Sequence, residues 1–461
     1  ARSVVRGEGG SITLNANEFT AINGGRLVGG IETTGNAGNI LVNTNRINLT
    51  GTGSTGIGAG VYQDVLPGAI GNTGNIDINT RSLSITSGGQ IGIQIRAGGT
   101  GNAGKISIRA DSVMFDGIDL NDRRSGVFSS VYAVPGVTEN RIAGDITIDA
   151  NSVALTNGSG IVSNVEAGAV GQGGNIVIAA NSLNLTNGAQ IQAAIQESSS
   201  TSAQLGTPSR AGNIYITLSG AFTATGIDGS GFPSGVITGV NNAVGSAGNI
   251  EIQVDSLSFT NGAQLTSATY GSEATGTGGD IDIAANSLSF TNGARIEAAT
   301  YGQGNAGKIN IRANDAVVLD GMSIDGDRSG IFSSVYNSSG FMESRIAGDI
   351  AISAGSLTLK NGALVSSNIE AGAVGESGNI LIRAASLTIT NGSQIQALLR
   401  SSDSASGLAG AQGSAGNIQI TLSDTLTATT TDSSDFPSGI VTEVGTGAVG
   451  TGGNMVLPAL W

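Results

Sequence analysis

The sequence predicts an all-β protein, specifically a right-handed, single-stranded parallel β-helix (a β-solenoid) of about 13 coils with three short strands each. Three observations support this prediction. A short block of alternating Ile, Leu and Val recurs along the whole chain. Glycine supplies 75 of the 461 residues, while charged residues make up only 12%. Finally, no segment shows the i, i+3, i+4 spacing of an amphipathic helix.

The repeated block has the form Gly-x-(Ile/Met)-x-(Ile/Leu/Val) and returns with a mean period of about 34 residues. Such a period is too short to enclose a core of its own, so a coil is stable only when it stacks on its neighbours. The central residues of the copies are Ile12, Ile40, Ile76, Ile106, Ile146, Ile176, Ile214, Ile250, Ile281, Ile309, Ile350, Ile380, Ile418 and Met455.

Within one period, residues 175–196, three segments alternate with period two, which is typical of strands with one buried face. Their inward residues are Ile176 and Ile178, then Leu183 and Leu185 after a break, and finally Ile191, Ala193 and Ile195. A Thr-Asn-Gly corner separates the last two segments, and Asn and Gly tolerate the positive φ of a sharp turn. This corner recurs at Asn157, Asn187, Asn261, Asn292 and Asn391.

The chain also contains a longer repeat that spans several copies of the short one. Residues 124–132 (RSGVFSSVY) return as residues 328–336 (RSGIFSSVY), and Ile146 and Ile350 are 204 residues apart. Loops were therefore duplicated together with coils. We expect one elongated domain over residues 1–461, with an internal duplication of approximately residues 76–280 and 281–457.

Composition excludes several functional classes. The net charge is −14, so nucleic acid is not an expected partner, because binding its backbone needs clustered Lys and Arg. No run reaches 18 apolar residues, so no membrane span is expected. Cysteine and histidine are absent, which removes disulfides, thiolate or imidazole metal sites and histidine-assisted nucleophiles. The chain opens without a start methionine or signal sequence, so we expect a mature or excised piece.

The run Gly-Asn-Ile-x-Ile followed by Ser-Leu-x-Leu-Thr-Asn-Gly-(Ala/Ser)-x-Ile resembles filamentous-haemagglutinin-type exoproteins of two-partner secretion systems, especially long cyanobacterial ones. The resemblance extends over about residues 10 to 457. It implies an extracellular or cell-surface protein of a Gram-negative bacterium that crosses the outer membrane unfolded, and the absence of cysteine fits such passage. The amino-terminal secretion domain of that family, with its Asn-Pro-Asn motifs, is missing from this sequence.

Asparagine opens the first strand of eight copies, and stacked asparagines are a structural ladder in solenoids. We predict this ladder for Asn39, Asn75, Asn175, Asn213, Asn249, Asn379, Asn417 and Asn454. The exceptions are Lys105, Lys308, Asp145, Asp280 and Asp349. Acidic residues beside a lysine would also suit a polysaccharide lyase, but alternating charge within the ladder is the simpler interpretation.

Two duplicated loops are rich in aspartate. Oxygen ligands at this spacing suit calcium, which is the one candidate ion; otherwise no cofactor is expected. Solvated turn aspartates are the competing interpretation, because neither a full EF-hand loop nor the glycine-rich calcium repeat is present. The candidate ligands are Asp116, Asp119 and Asp122, with Asn121 between them, and Asp320, Asp325 and Asp327 in the copy.

Aligning the third strands on their inward residues places Tyr270, Tyr301 and Tyr336 at one outward position of three successive coils, with Phe332 outward earlier on the last strand. Stacked rings stabilise neighbouring coils, with or without a loop packed over them, and amphipathic aromatic rings also bind glycans and proteins. The sequence therefore predicts either plain stacking or a ligand-contact surface at these four residues.

The function expected from these features is non-enzymatic: a secreted or cell-surface filamentous adhesin or structural shaft, acting as rigid spacer and contact surface. Its expected partners are host-surface or matrix glycans and proteins, and other copies of itself joined end to end, because uncapped end coils present unpaired strand edges. The alternative is a polysaccharide lyase or hydrolase, since fold alone does not decide function.

Overall fold

A computed structural model of the chain describes residues 7–54, 56–133, 141–196, 209–272, 274–338, 343–429 and 437–458. These residues form a solenoid-like, all-β structure with parallel sheets and no helix. Accordingly, the described part of the chain offers no helix that could cross a membrane. The chain divides into two compact units: residues 1–220 with 227–237, and residues 221–226 with 238–461.

The first unit repeats one order of strands along the chain. These are β1 (Ile12–Asn15), β2 (Glu18–Ile22), β3 (Arg26–Ile31), β4 (Ile40–Asn43), β5 (Arg46–Thr50), β6 (Gly60–Val65), β7 (Ile76–Asn79), β8 (Ser82–Thr86), β9 (Gln90–Ile95), β10 (Ile106–Asp116), β11 (Gly126–Val131), β12 (Arg141–Ile142), β13 (Ile146–Thr156), β14 (Gly160–Val165), β15 (Gly171–Gln172), β16 (Ile176–Thr186), β17 (Gln190–Ile195), β18 (Ser209–Arg210) and β19 (Ile214–Leu218). One wall contains β1, β4, β7, β10, β13, β16 and β19, with β2, β5 and β8 beside them. A second wall has the order β3-β6-β9-β11-β14-β17, and β12, β15 and β18 form a short third strip.

The second unit has the same organisation. Its strands are β20 (Ala221–Thr225), β22 (Gly245–Ser246), β23 (Ile250–Gln253), β24 (Ser256–Thr260), β25 (Gln264–Tyr270), β26 (Ile281–Thr291), β27 (Arg295–Glu297), β28 (Ile309–Asp320), β29 (Gly330–Phe332), β30 (Arg345–Ile346), β31 (Ile350–Lys360), β32 (Leu364–Ser366), β33 (Val374–Glu376), β34 (Ile380–Thr390), β35 (Gln394–Leu399), β36 (Gln412–Ser414), β37 (Ile418–Thr429), β38 (Gly439–Val444), β39 (Val449–Thr451) and β40 (Met455–Val456), while β21 (Gly235–Asn241) belongs to both residue ranges. The first wall runs through β23, β26, β28, β31, β34, β37 and β40, and the second through β25, β27, β29, β32, β35 and β38.

Inside each unit the repeated block stacks on itself in register, as the sequence predicts. In the first unit, Ile76 pairs with Ile106 and Ile106 with Ile146, and all three side chains are fully buried. In the second unit, Ile281 pairs with Ile309 and Ile309 with Ile350, again with buried side chains. Each core is therefore a set of columns in which one residue type repeats from strand to strand.

The predicted break between the first two segments of a period is only partly present. Where the sequence suggests separate strands around Ile178 and Leu183, the structure has the single strand β16. The inward positions change from even to odd numbers at this point, so the alternation is interrupted although the backbone stays extended and paired. The Thr-Asn-Gly corners are confirmed by φ values of +52° to +55° at Asn157, Asn187, Asn261, Asn292 and Asn391.

Candidate functional site

The three tyrosines of the second unit form one stacked column, as the alignment of inward residues predicts. Isolated bridges pair Thr269 with Thr300 and Thr300 with Val335, so the residues that follow these positions lie above one another. The rings of Tyr270 and Tyr301 have centroids 5.4 Å apart and planes 15° apart. The rings of Tyr301 and Tyr336 are closer, at 4.1 Å and 9°. We call these three residues the tyrosine column.

A buried carboxylate lies under the middle of the tyrosine column. Glu297 is only 4% exposed, although it points to the outer face of β27. The Tyr301 hydroxyl donates a hydrogen bond to Glu297 Oε1 at 2.5 Å. Burial removes water from this carboxylate, and the hydrogen bond from the hydroxyl group compensates for part of that loss. Aligning the third strands of the chain on their inward residues predicts the tyrosine positions correctly but does not identify Glu297 as their partner.

The same outer face carries a cation beside this carboxylate. Arg295 precedes Glu297 by two residues on β27, and its Nη2 lies 3.9 Å from Asp327 Oδ1. The Gln264 amide, with its oxygen turned toward Arg295, accepts hydrogen bonds from Nη2 at 3.1 Å and Nε at 3.3 Å. The negative charges of Glu297 and Asp327 raise the pKa of Arg295 against the opposing effect of burial. The cluster therefore contains paired opposite charges, and the phenols lie next to it.

The rings of the tyrosine column are less exposed than side chains on an open outer face would be. All three rings are half-buried, and so is Phe332, which lies opposite Glu297 in the register of β27 and β29. Burial raises the pKa of Tyr270, Tyr301 and Tyr336 above its usual value, with the Glu297 charge as the second cause. Ser338 donates to the Ser272 carbonyl at 3.2 Å, so the chain after Tyr336 reaches back across the column. Because their pKa values are raised, the three phenols are neutral at physiological pH.

The first unit carries a related cluster on the outer face of its second wall. Asp64 is 9% exposed and forms an ion pair with Arg96 at 2.8 Å. Burial raises the pKa of Asp64 despite this arginine. Glu166 accepts a hydrogen bond from the Ser130 hydroxyl at 2.9 Å, and burial raises its pKa as well. Sequence reasoning missed these acids; the available signal for Asp64 was a charged residue at an outward position of β6, whereas Glu166 follows directly after β14.

The aspartates of the first duplicated loop are not brought together as a calcium site. Asp116 Oδ1 accepts from Thr156 Oγ1 at 2.6 Å and from Asn157 Nδ2 at 2.8 Å, on the neighbouring strand. Asp119 Oδ1 accepts from the backbone N–H groups of Asn121 and Arg123, both at 2.8 Å. Asp122 is exposed and has a φ of +58°. These contacts are those of turn and strand-pairing residues.

The copy of this loop behaves in the same way. Asp320 accepts from Asn361 Nδ2 at 2.8 Å and pairs with Lys360 at 3.2 Å. Asp325 is exposed at the loop surface, and Asp327 faces Arg295. Within the part of the chain that the structure describes, no three Asp, Glu, His or Cys side chains are grouped so as to hold a metal ion.

The asparagine ladder is present, and its chemistry is more specific than contacts between amides. Six of the eight asparagines accept a hydrogen bond at the side-chain oxygen from the backbone N–H of the next residue in the column: Asn39 from Asn75, Asn75 from Lys105, Asn175 from Asn213, Asn249 from Asp280, Asn379 from Asn417 and Asn417 from Asn454, at 2.9 to 3.0 Å. The position needs an acceptor, so aspartate serves equally: Asp145, Asp280 and Asp349 accept the corresponding bonds.

Lysine cannot accept, and the two lysines in the column use an ion pair instead. Lys105 Nζ lies 3.3 Å from Asp145 Oδ2, and Lys308 Nζ lies 3.7 Å from Asp349 Oδ2. These pairs are largely exposed, so each contributes about 0–1 kcal/mol. The series Asp280, Lys308 and Asp349 is therefore held by ladder contacts, as the simpler interpretation predicted.

The acceptor rule gives a direct prediction at Asn75. Asn75→Asp keeps the acceptor for the Lys105 N–H and adds a charge near the lysine, so we expect the free energy of unfolding to change by no more than about 0.5 kcal/mol. Asn75→Leu removes the acceptor, and we expect a loss of about 1 kcal/mol. Denaturant unfolding followed by circular dichroism measures both. Equal losses in the two variants would contradict the rule.

Two buried arginines also escaped sequence reasoning. Arg141 and Arg345 are 2% and 1% exposed, and they are equivalent residues of the duplicated segments. Each donates from Nη1 to a backbone carbonyl, Arg141 to Gly99 at 3.3 Å and Arg345 to Gly302 at 2.6 Å. They link β12 and β30 to the preceding turn, which is a structural role.

The sites of the two units are therefore two buried polar clusters on outer strand faces, one of them with a stacked aromatic column. Their chemistry provides hydrogen bonding, stacking and proton acceptance, and the charged groups are mostly paired within the chain. Comparison of the chain with models of protein families, with curated proteins and with solved structures finds no match.

Proposed function

We propose that the chain is a right-handed, single-stranded parallel β-helix of about 13 coils that serves as the non-enzymatic shaft of a filamentous protein. The in-register repetition supports this proposal: the same isoleucine column, acceptor ladder and Asn-Gly corner recur from strand to strand in each unit. A chain that repeats its backbone contacts in this way gains length without needing a new core for each segment. Length and stiffness are what a spacer requires.

We place this shaft outside the cell, as a secreted or surface-anchored adhesin of a Gram-negative bacterium. The resemblance of the repeated block to filamentous-haemagglutinin-type exoproteins supports this location, and the complete absence of cysteine fits a chain that crosses the outer membrane unfolded. The duplication of loops together with coils also suits a protein that has grown by copying lengths of shaft.

The contact surface of the proposed adhesin is the tyrosine column together with Phe332. Half-buried aromatic rings expose an apolar edge, and their neighbours Arg295 and Asp327 add polar groups at the rim. An apolar platform with a polar rim suits a sugar ring or a protein side chain from a host surface or matrix.

Replacing Tyr270, Tyr301 and Tyr336 together by alanine is expected to weaken binding to immobilised matrix proteins or glycans at least tenfold, because the platform is lost while the core columns remain. Binding is measured by surface plasmon resonance, and circular dichroism checks the fold. Tyr215→Ala is the matched control, since Tyr215 is exposed and lies outside the column. Unchanged binding with a lowered melting temperature would leave the column as plain stacking.

A panel of polysaccharide substrates distinguishes the non-enzymatic shaft from the alternative enzyme. Incubating the protein with pectate, alginate and xylan is expected to release no reducing ends or unsaturated products above the buffer rate. Release that the protein accelerates would overturn the non-enzymatic proposal and favour a polysaccharide lyase or hydrolase.

A further inference from the structure

The tyrosine column has a chemical capability that neither stacking nor ligand contact uses. Tyr301 and Tyr336 lie face to face with ring centroids 4.1 Å apart and an interplanar angle of 9°. Tyr270 stacks on the other side of Tyr301 at 5.4 Å. Two phenol rings held this close are positioned to couple through their ring carbons once each has lost an electron and a proton, because no diffusion step is needed to bring them together.

Tyr301 also has a proton acceptor in place. Its hydroxyl donates to Glu297 Oε1 at 2.5 Å, a short bond to a carboxylate that is almost completely buried. Burial and the nearby Glu297 charge raise the pKa of Tyr301, so the phenol does not ionise by itself at neutral pH. Oxidation of Tyr301 therefore requires a base that accepts the proton as the electron leaves, and Glu297 is within hydrogen-bond reach to do so.

We propose that Tyr301 and Tyr336 form an intramolecular dityrosine cross-link when the protein meets a one-electron oxidant, such as a peroxidase with hydrogen peroxide. Each phenol loses one electron and one proton, and the two radicals form a carbon–carbon bond between positions ortho to the hydroxyl groups. The hydrogens on those carbons then move to the oxygens and restore both phenols. Overall, two tyrosines and one hydrogen peroxide give one dityrosine and two waters.

The consequence is a covalent staple between neighbouring strands. Residues 301 and 336 directly follow Thr300 and Val335, which pair with each other in the second unit, and the other links between these two segments are non-covalent. A cross-link of this kind restricts the unfolded chain much as a disulfide does, and this chain has no cysteine with which to form one. The inference rests on the geometry of the second unit and stands independently of the proposed function.

The experiment exposes the full chain to horseradish peroxidase and a limiting amount of hydrogen peroxide. Dityrosine fluorescence is followed over time, and mass spectrometry of a proteolytic digest identifies the joined peptides. We expect a peptide pair linking residue 301 to residue 336, in a product that still migrates as a monomer, with a yield per molecule that does not change with protein concentration. Dominant oligomers joined through the exposed Tyr215, without the 301–336 pair, would overturn the proposal.

Conservative variants keep the rings and test each part separately. Tyr336→Phe is expected to abolish the 301–336 pair, whereas Tyr215→Phe leaves its yield unchanged. A yield that Tyr336→Phe does not alter, or a predominant 270–301 product, would overturn the assignment of the partner. Glu297→Gln keeps an acceptor oxygen but is a far weaker base, so we expect several-fold slower cross-linking in folded protein. An unchanged rate in that variant would overturn the role of Glu297 as proton acceptor.

Discussion

Gly304→Ala is expected to lower the free energy of unfolding by about 3 kcal/mol or more, which is among the largest effects open to a single methyl group here. Gly304 has a φ of +142°, where residues with a side chain are strained, and a Cβ at this position would overlap the carbonyl oxygen of Gly276. Gly276 and Gly304 follow the bridged residues Thr275 and Gln303, and the Gly276 N–H donates to the Gln303 carbonyl, so neither backbone segment can move aside without breaking these contacts. Thermal and denaturant unfolding followed by circular dichroism provide the measurement.

The matched control for this change is Gly439→Ala. Gly439 is the first residue of β38, its φ lies outside the left-handed region, and an added Cβ would meet nothing within 4 Å. We expect its effect on stability to stay within about 0.5 kcal/mol. Similar melting temperatures for the two alanine variants would show that the close backbone approach at Gly304 is not what fixes glycine there.

The core and the ladder could be predicted because their residues recur at fixed positions in the alternating pattern of the sequence. Ile281, Ile309 and Ile350 are recognisable as inward residues from their neighbours alone, and the structure stacks them directly. The tyrosine column follows from the same rule, since Thr300 and Val335 fix the phase of the strands on which the rings lie. Period-two patterning therefore determines which face a residue occupies and which residue lies above it.

Alternation does not determine what covers an outward residue. Glu297 and Asp64 occupy outward positions, where the pattern predicts exposure, yet both are buried. The Tyr301 hydroxyl donates to Glu297, and the Arg96 guanidinium pairs with Asp64. The calcium prediction was limited in the same way, because loop spacing alone could not show that Asp116 is engaged by Thr156 on the next strand. These sites depend on contacts between levels, such as Asp116 with Thr156, and on local bonds, such as that from Tyr301 to Glu297.

Phe259→Ala is expected to lower the free energy of unfolding by about 3–5 kcal/mol. Phe259 is fully buried in the second unit between Phe222 and Phe290, with ring centroids 5.0 Å away on each side. The spacing of hydrogen-bonded strands is fixed at about 4.8 Å, so the neighbouring strands cannot close over the space that the ring leaves. Phe259→Leu is the control, because Leu319 and Leu359 occupy the same column, and we expect it to lose only about 1–1.5 kcal/mol.

A double-mutant cycle between Phe259 and Phe290 tests whether side chains on neighbouring levels stabilise each other. Phe259 and Phe290 are stacked with an interplanar angle of 30°, so removing both rings should cost less than the sum of the single losses, with a coupling of about 0.5–1.5 kcal/mol. The cycle of Phe259 with Tyr336, which lies outside this column, should show additivity within about 0.5 kcal/mol. Additive losses for the Phe259–Phe290 pair would mean that each level is stabilised by its own contacts. Coupling confined to the stacked pair would mean that the columns themselves hold successive levels together.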